Sequence, residues 1–144
     1  MTTVQIVRGR ADGTATLART DTFTGAVWGD PVLPTTAEKN TINSVTFAPG
    51  ARTYWHHHTG GQILVVTAGR GWVCTHGGTP QVIRVGDVVW VPPGERHWHG
   101  GTADTIMTHL AISIGPTVWE HEVSAAEYDG ANRTRTGVLV DGRD

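Results

Sequence analysis

Three histidines stand in a row at His56, His57 and His58, and Gln62 follows them at the head of an apolar run. In an extended strand successive side chains alternate, so His56 and His58 share one face and His57 takes the other. Two imidazoles so placed on an inward face can share one cation. Gln62, which opens the next strand after the turn "TGG", can meet them from alongside. A second group follows in "GDVVWVPPGERHWHG", where His97 and His99 share a face with Trp98 opposite. A third lies in "TIMTHLAIS": Met107, His109, Ala111 and Ser113 point one way, and Ile106, Leu110 and Ile112 the other. Imidazole and amide donors suit a borderline divalent ion such as Mn, Fe, Co, Ni or Zn.

These residues need a scaffold that brings four or more short strands around one point. The 144-residue chain fits a single domain, and 38% hydrophobic with 17% charged residues is a globular balance, not a disordered one. Its 19 glycines punctuate short apolar runs, as in "APGA", "AGRG", "HGGTP", "RVGD" and "PPGE". Such spacing predicts an all-β sandwich or barrel with strands over 42–47, 53–58, 62–67, 71–76, 81–84, 87–91 and 105–114. Ser124 and Glu127 in "SAAEY" form a capping box for one short C-terminal helix. The domain is expected to span 1–128, followed by a polar tail over 129–144 that is either loose or reaches a neighbouring subunit.

Other classes are excluded on charge and pattern. A net charge of −2 without a basic run gives no footprint for nucleic acid. No run approaches the length of a membrane span, and the start lacks an apolar leader core, so neither membrane nor secretion is expected. The single cysteine, Cys74, rules out an internal disulfide, reads as a small buried residue and agrees with a reducing cytoplasm.

The spacings Gly50-x5-His56-x-His58-x3-Gln62-x6-Gly69 and Gly86-x5-Pro92-x-Gly94-x2-His97 resemble the two cupin motifs, with Gln62 where most members carry Glu. Gly101 stands where the second motif often closes on Asn. With "FTG" near Phe23, "VTFAPGARTYWHHH" and "MTHLAI", the chain from about Phe23 to Tyr128 is similar to the small bacterial cupin hydroxynitrile lyases. The resemblance implies a double-stranded β-helix, or jelly-roll barrel. It also implies one divalent metal, manganese in that family, held by His56, His58, Gln62 and His97. His109 would then be the base, with His99 and Thr53 beside it. By simple alternation Thr53 faces away from His56 and needs a bulge to turn inward. Asn43, Val45 and Phe47 share a face expected to line the pocket. Ser113 is small where some relatives carry a larger amide, so substrate and stereochemistry do not transfer.

An amide in place of a carboxylate has a consequence of its own. Three neutral imidazoles and Gln62 leave the cation its full charge, so such a site binds metal more weakly but polarises an anionic ligand more strongly. The resemblance implies that His109 takes the hydroxyl proton of a cyanohydrin while cyanide leaves toward the metal. The same residues leave open an Fe(II) dioxygenase or isomerase, or a cupin that binds a small molecule without turning it over. Sheet-edge pairing into a homodimer or homotetramer is expected, with the segment before Thr20 available as an exchanged strand.

Overall fold

A computed structural model describes residues 3–138 of the chain. In chain order its first strands are β1 (Leu17–Ala18), β2 (Phe23–Thr24), β3 (Val27–Leu33), β4 (Thr41–Phe47), β5 (Arg52–Thr53) and β6 (His56–His58). Then come β7 (Gln62–Thr75), β8 (Gln81–Arg84), β9 (Val88–Val91), β10 (His97–Gly101), β11 (Met107–Ser113) and β12 (Thr117–Trp119). One helix, α1 (Ala125–Val138), ends the described chain.

All pairings are antiparallel, and they form one curled sheet, a half-barrel, with two halves. The first half runs β1-β3-β4-β11-β7-β9. The second runs β2-β5-β10-β7-β8, with β6 joining β10 to β12. Strand β7 serves both: residues 62–69 pair with β11 and residues 71–75 with β10. The sequence reading divided this strand in two at "AGRG". The chain instead bends there without breaking its pairing, because Gly69 takes φ +66 and a Cβ on it would collide with the Ile106 carbonyl. A side chain on Gly71 would likewise collide with the Gly100 carbonyl across the bend.

Between the two halves lies a core of Val45, Phe47, Val66, Ile83 and Met107, where β4, β7, β8 and β11 turn alternate residues inward. A second cluster lies outside. Trp72, Cys74 and Trp98 leave the outer face of β7 and β10 and pack on Val123, Tyr128 and Ala131. Burying a side chain of that size contributes roughly 1.5–3 kcal/mol, enough to hold a helix whose own propensity is poor. Its start is the capping box read from sequence: Ser124 N donates to Glu127 Oε1 at 2.9 Å, and Glu127 N to Ser124 Oγ at 3.1 Å. Its body is pinned by Tyr128, whose hydroxyl donates to the Gly101 carbonyl at 2.6 Å, and by Trp72, whose Nε1 donates to Asn132 Oδ1 at 3.2 Å.

The helix therefore continues past Asp129, through residues expected to be loose or to reach a neighbouring subunit; residues 139–144 of that expected tail lie outside the described residues. Strand β3 escaped the sequence reading because Gly29, Asp30 and Pro31 interrupt its pattern, and its register slips between Pro31 and Leu33. The N-terminal β1 pairs with β3 of its own chain. Cys74 is buried and free, and burial pushes its thiol pKa up, as expected of a packing residue. No helix among the described residues is long and apolar enough to cross a membrane.

Candidate metal centre and active site

Inside the curl lies a cavity of about 540 Å³, lined by His56, His58, Gln62, His99, His109 and Thr53 among others. That size suits a small organic ligand. His56 and His58 arrive on β6, whose burial alternates so that His57 turns outward, as the run of three predicts. Gln62 opens β7, His97 and His99 come from β10, and His109 comes from β11. His97 is fully buried behind Gln62. Thr53 also faces the cavity, at 1% exposure. The required irregularity is a break between β5 and β6: Tyr54 N donates to the Thr22 carbonyl and Trp55 N to the His121 carbonyl, so strand alternation does not carry through.

Three rings have their outer nitrogens tied. His56 Nδ1–H donates to the Tyr54 carbonyl at 2.8 Å, and His97 Nδ1–H to the Glu95 carbonyl at 2.9 Å. His58 Nδ1 lies 2.9 Å from Thr117 Oγ1. Such partners fix the ring and leave Nε2 with its lone pair, as metal-binding histidines require. Burial pulls His58 and His97 down to about 4 and His56 well below its ordinary value, so all three rings are neutral at physiological pH.

With Nδ1 donating, neutral His97 presents a bare Nε2, and 3.0 Å from it stands Gln62 Oε1, also an acceptor. In this orientation the Gln62 amide Nε2 donates to Ser113 Oγ at 3.0 Å. His58 Nε2 is buried without a hydrogen-bond partner. Facing lone pairs and an orphaned imidazole nitrogen are costly unless a cation shares them. The donor set fits a borderline divalent metal.

Among the described residues, possible ligand atoms of His56, His97 and His99 lie within 4.8 Å of one another. His58 is outside that group, although its ring centre lies 5.0 Å from that of His56. Three buried histidines can thus hold a metal here, and His99 competes with His58 for the third place.

His99 has another engagement. Its Nδ1 lies 2.9 Å from His109 Nε2, both rings are buried, and their outer nitrogens, His99 Nε2 and His109 Nδ1, have no hydrogen-bond partner. Burial lowers both, His109 to about 4 and His99 well below its ordinary value, so the pair is neutral. Two neutral imidazoles sharing one N–H···N bond have only two arrangements, and in each one outer nitrogen is bare while the other carries hydrogen. The pair therefore always holds one bare outer nitrogen and one that carries hydrogen. Thr53 Oγ1 accepts from the His99 backbone N–H at 3.2 Å, which leaves its own hydroxyl hydrogen for a ligand.

The structure thus brings His56, His58, Gln62, His97, His99, His109 and Thr53 around one cavity, with Asn43 and Val45 on its wall. Phe47 instead is buried in the core beneath it, against the His99 and His109 rings, because the curl of β4 carries it below the lining. Thr117, which holds His58, and Trp119, whose ring is 4.6 Å from that of His56, carried no signal beyond their types.

Comparisons with known proteins agree with this architecture. A model of the cupin domain matches residues 43–113. Over 113 residues, 75% of this chain and 86% of its relative, the sequence is 54% identical to an (R)-mandelonitrile lyase from Granulicella tundricola. A cupin-like protein from Thermotoga maritima superposes with a TM-score of 0.74 at 34% identity, over 90% of this chain and 97% of that one. A polyketide cyclase from Streptomyces resistomycificus shares the fold alone, with a TM-score of 0.66 at 16% identity over 88% and 92% of the two chains.

Proposed function

The chain belongs to the cupin family, and from that premise we propose that it is a metal-dependent lyase that cleaves and forms cyanohydrins. The observation that carries the reading is the hydrogen-bonded His99–His109 pair, set beside the neutral donor cluster in a cavity lined by no carboxylate. The identity to a mandelonitrile lyase supports it. We assign manganese(II) to His56, His58, Gln62 and His97, an assignment that leaves His99 free. When bound, the ion supplies positive charge that stabilises the anion developing on cyanide.

The protein's own groups move the proton. With His109 Nε2–H donating to His99 Nδ1, His109 Nδ1 is bare and takes the substrate's hydroxyl proton. The O–H electron pair closes the carbonyl, the C–CN bond breaks, and its electrons leave with cyanide. His99 Nε2–H then gives its proton to cyanide, so hydrogen cyanide and an aldehyde or ketone result. The shared proton crosses from His109 to His99, and the pair finishes in its other arrangement, poised to run the addition in reverse. The Thr53 hydroxyl orients the substrate oxygen by donating to it.

The test is benzaldehyde release from mandelonitrile, followed by ultraviolet absorbance with manganese-loaded protein in slightly acidic buffer. His109→Ala should slow release by roughly a hundredfold or more, the usual scale of a lost general base. No release above background by fully metallated protein would overturn the reading. Substrate-dependent oxygen uptake with Fe(II) would put an oxygenase in its place.

A further inference from the structure

Resting on the lyase reading, we infer that the cavity is built for a substrate carrying a carboxylate remote from the reacting carbon, and that Arg19 is the residue that recognises it. Among the residues lining the cavity, Arg19 alone bears a fixed charge, and no aspartate or glutamate is present. Every other lining group is apolar, a hydroxyl, an amide or a neutral imidazole.

Arg19 is held in place and left unpaired. Its backbone N–H donates to the Val27 carbonyl at 2.8 Å. Its side chain runs along Gly29, where a Cβ would stand 3.2 Å from Nη1 and 3.4 Å from Cδ. The guanidinium then lies over Phe23, with Cζ 5.2 Å from the ring centre. Arg10 and Arg96, by contrast, pair with Asp30 at 2.6 Å and Glu120 at 2.8 Å. Arg19 has no carboxylate partner among the described residues. A planar cation held over an aromatic face at the wall of a cavity is the usual way of binding a carboxylate through two parallel hydrogen bonds.

The wall between the centre and Arg19 is aromatic. The Trp119 ring lies 4.6 Å from His56 and 5.7 Å from Phe23, and Phe23 carries the guanidinium. An aryl or alkyl body lying along these rings, with its hydroxyl at His109, would extend its far end toward Arg19. The carboxylate takes no part in bond making, so the cleavage balances as before. Recognition of a remote group acts on binding more than on the chemical step.

The test uses unreactive alcohols, so that it reads binding without turnover. Affinities of manganese-loaded protein for para-(hydroxymethyl)benzoate and benzyl alcohol are compared by calorimetry, and roughly a tenfold preference for the acid is expected from one charge-assisted bidentate contact. Arg19→Gln should bring the ratio of the two affinities to about one, and Arg19→Lys, which keeps charge but loses the fork, should fall between. Gly29→Ala, which pushes the guanidinium aside, should also lower the ratio. No preference in the native protein overturns the inference. So does a preference that survives Arg19→Gln and vanishes on metal removal, because the ion itself would then hold the carboxylate. A preserved preference in protein that fails to cleave mandelonitrile would defeat the lyase reading and leave the anion site standing.

Discussion

The third imidazole at the metal can be identified by removing a single oxygen. Thr117→Val keeps the shape of the side chain and deletes the Oγ1 that lies 2.9 Å from His58 Nδ1. If His58 Nε2 holds the cation, its Nδ1–H must donate to Thr117, and valine cannot accept. Loss of such an outer partner weakens metal binding by roughly 10–100-fold. Thr117 is only half-buried, so water can take part of its place, and the lower end, about tenfold or about 1.4 kcal/mol, is the figure to expect. Metal-free protein should lose about 1 kcal/mol or less, the worth of one neutral hydrogen bond. Calorimetric titration with manganese at neutral pH reads the first number and urea denaturation the second. His109→Ala is the counterpart, since it strips His99 Nδ1 of its partner and should change manganese affinity by less than about threefold if His99 is no ligand. The opposite pattern, with Thr117→Val silent and His109→Ala costing tenfold, would refute the ligand set. It would also deny His109 its role, because a metal on His99 Nε2 fixes the proton on His99 Nδ1 and removes the bare nitrogen of His109.

Other outcomes follow from the same geometry. Ser113→Ala leaves the Gln62 amide N–H without its acceptor and should weaken manganese binding by about tenfold in the same titration. Tyr128→Phe removes the buried 2.6 Å bond to Gly101 and should cost roughly 1–1.5 kcal/mol in urea melts followed by circular dichroism. Gly71→Ala places a methyl against the Gly100 carbonyl and should destabilise by at least about 1–3 kcal/mol, seen as a fall in melting temperature. The Arg96 guanidinium beside Glu120 holds that carboxyl below its ordinary value of 4.5. Stability from this pair is therefore present above that value and lost as pH falls through the lower, folded one. Glu120→Gln should cost under about 1 kcal/mol at pH 7, as expected for a partly exposed pair, and the gap from native protein should close on acidification in parallel urea melts.

Much of the site was legible because alternation is a local rule. His56 and His58 inward with His57 out, and the shared face of Met107, His109, Ala111 and Ser113, follow from period two alone and match the burial of β6 and β11. What the sequence hid depends on contacts between distant segments. Thr53 faces inward through a break held by the Thr22 and His121 carbonyls, and no neighbour of Thr53 in the chain announces it. The anchors of the three imidazoles include two backbone carbonyls, at Tyr54 and Glu95, which carry no residue identity. The His99–His109 bond joins strands from opposite halves of the sheet, and Arg19 lay in a segment set aside as an exchanged strand. The length of α1 was obscured because Gly130 and Asn132 are weak helix formers, while the burial that outweighs them comes from Trp72 and Trp98.

Strand β7 has a bearing on how the molecule comes apart. It is the single ribbon to which β8, β9, β10 and β11 all bond, so neither half of the sheet can melt while the other keeps its hydrogen bonds intact. Local openings are confined to the short outer strands and the helix, and the amides of residues 62–75 should exchange with solvent only when the whole domain opens. The pocket is therefore unevenly durable: Gln62 stands on the ribbon that yields last, whereas His56 and His58 ride on the three-residue β6 and are lost whenever that strand opens.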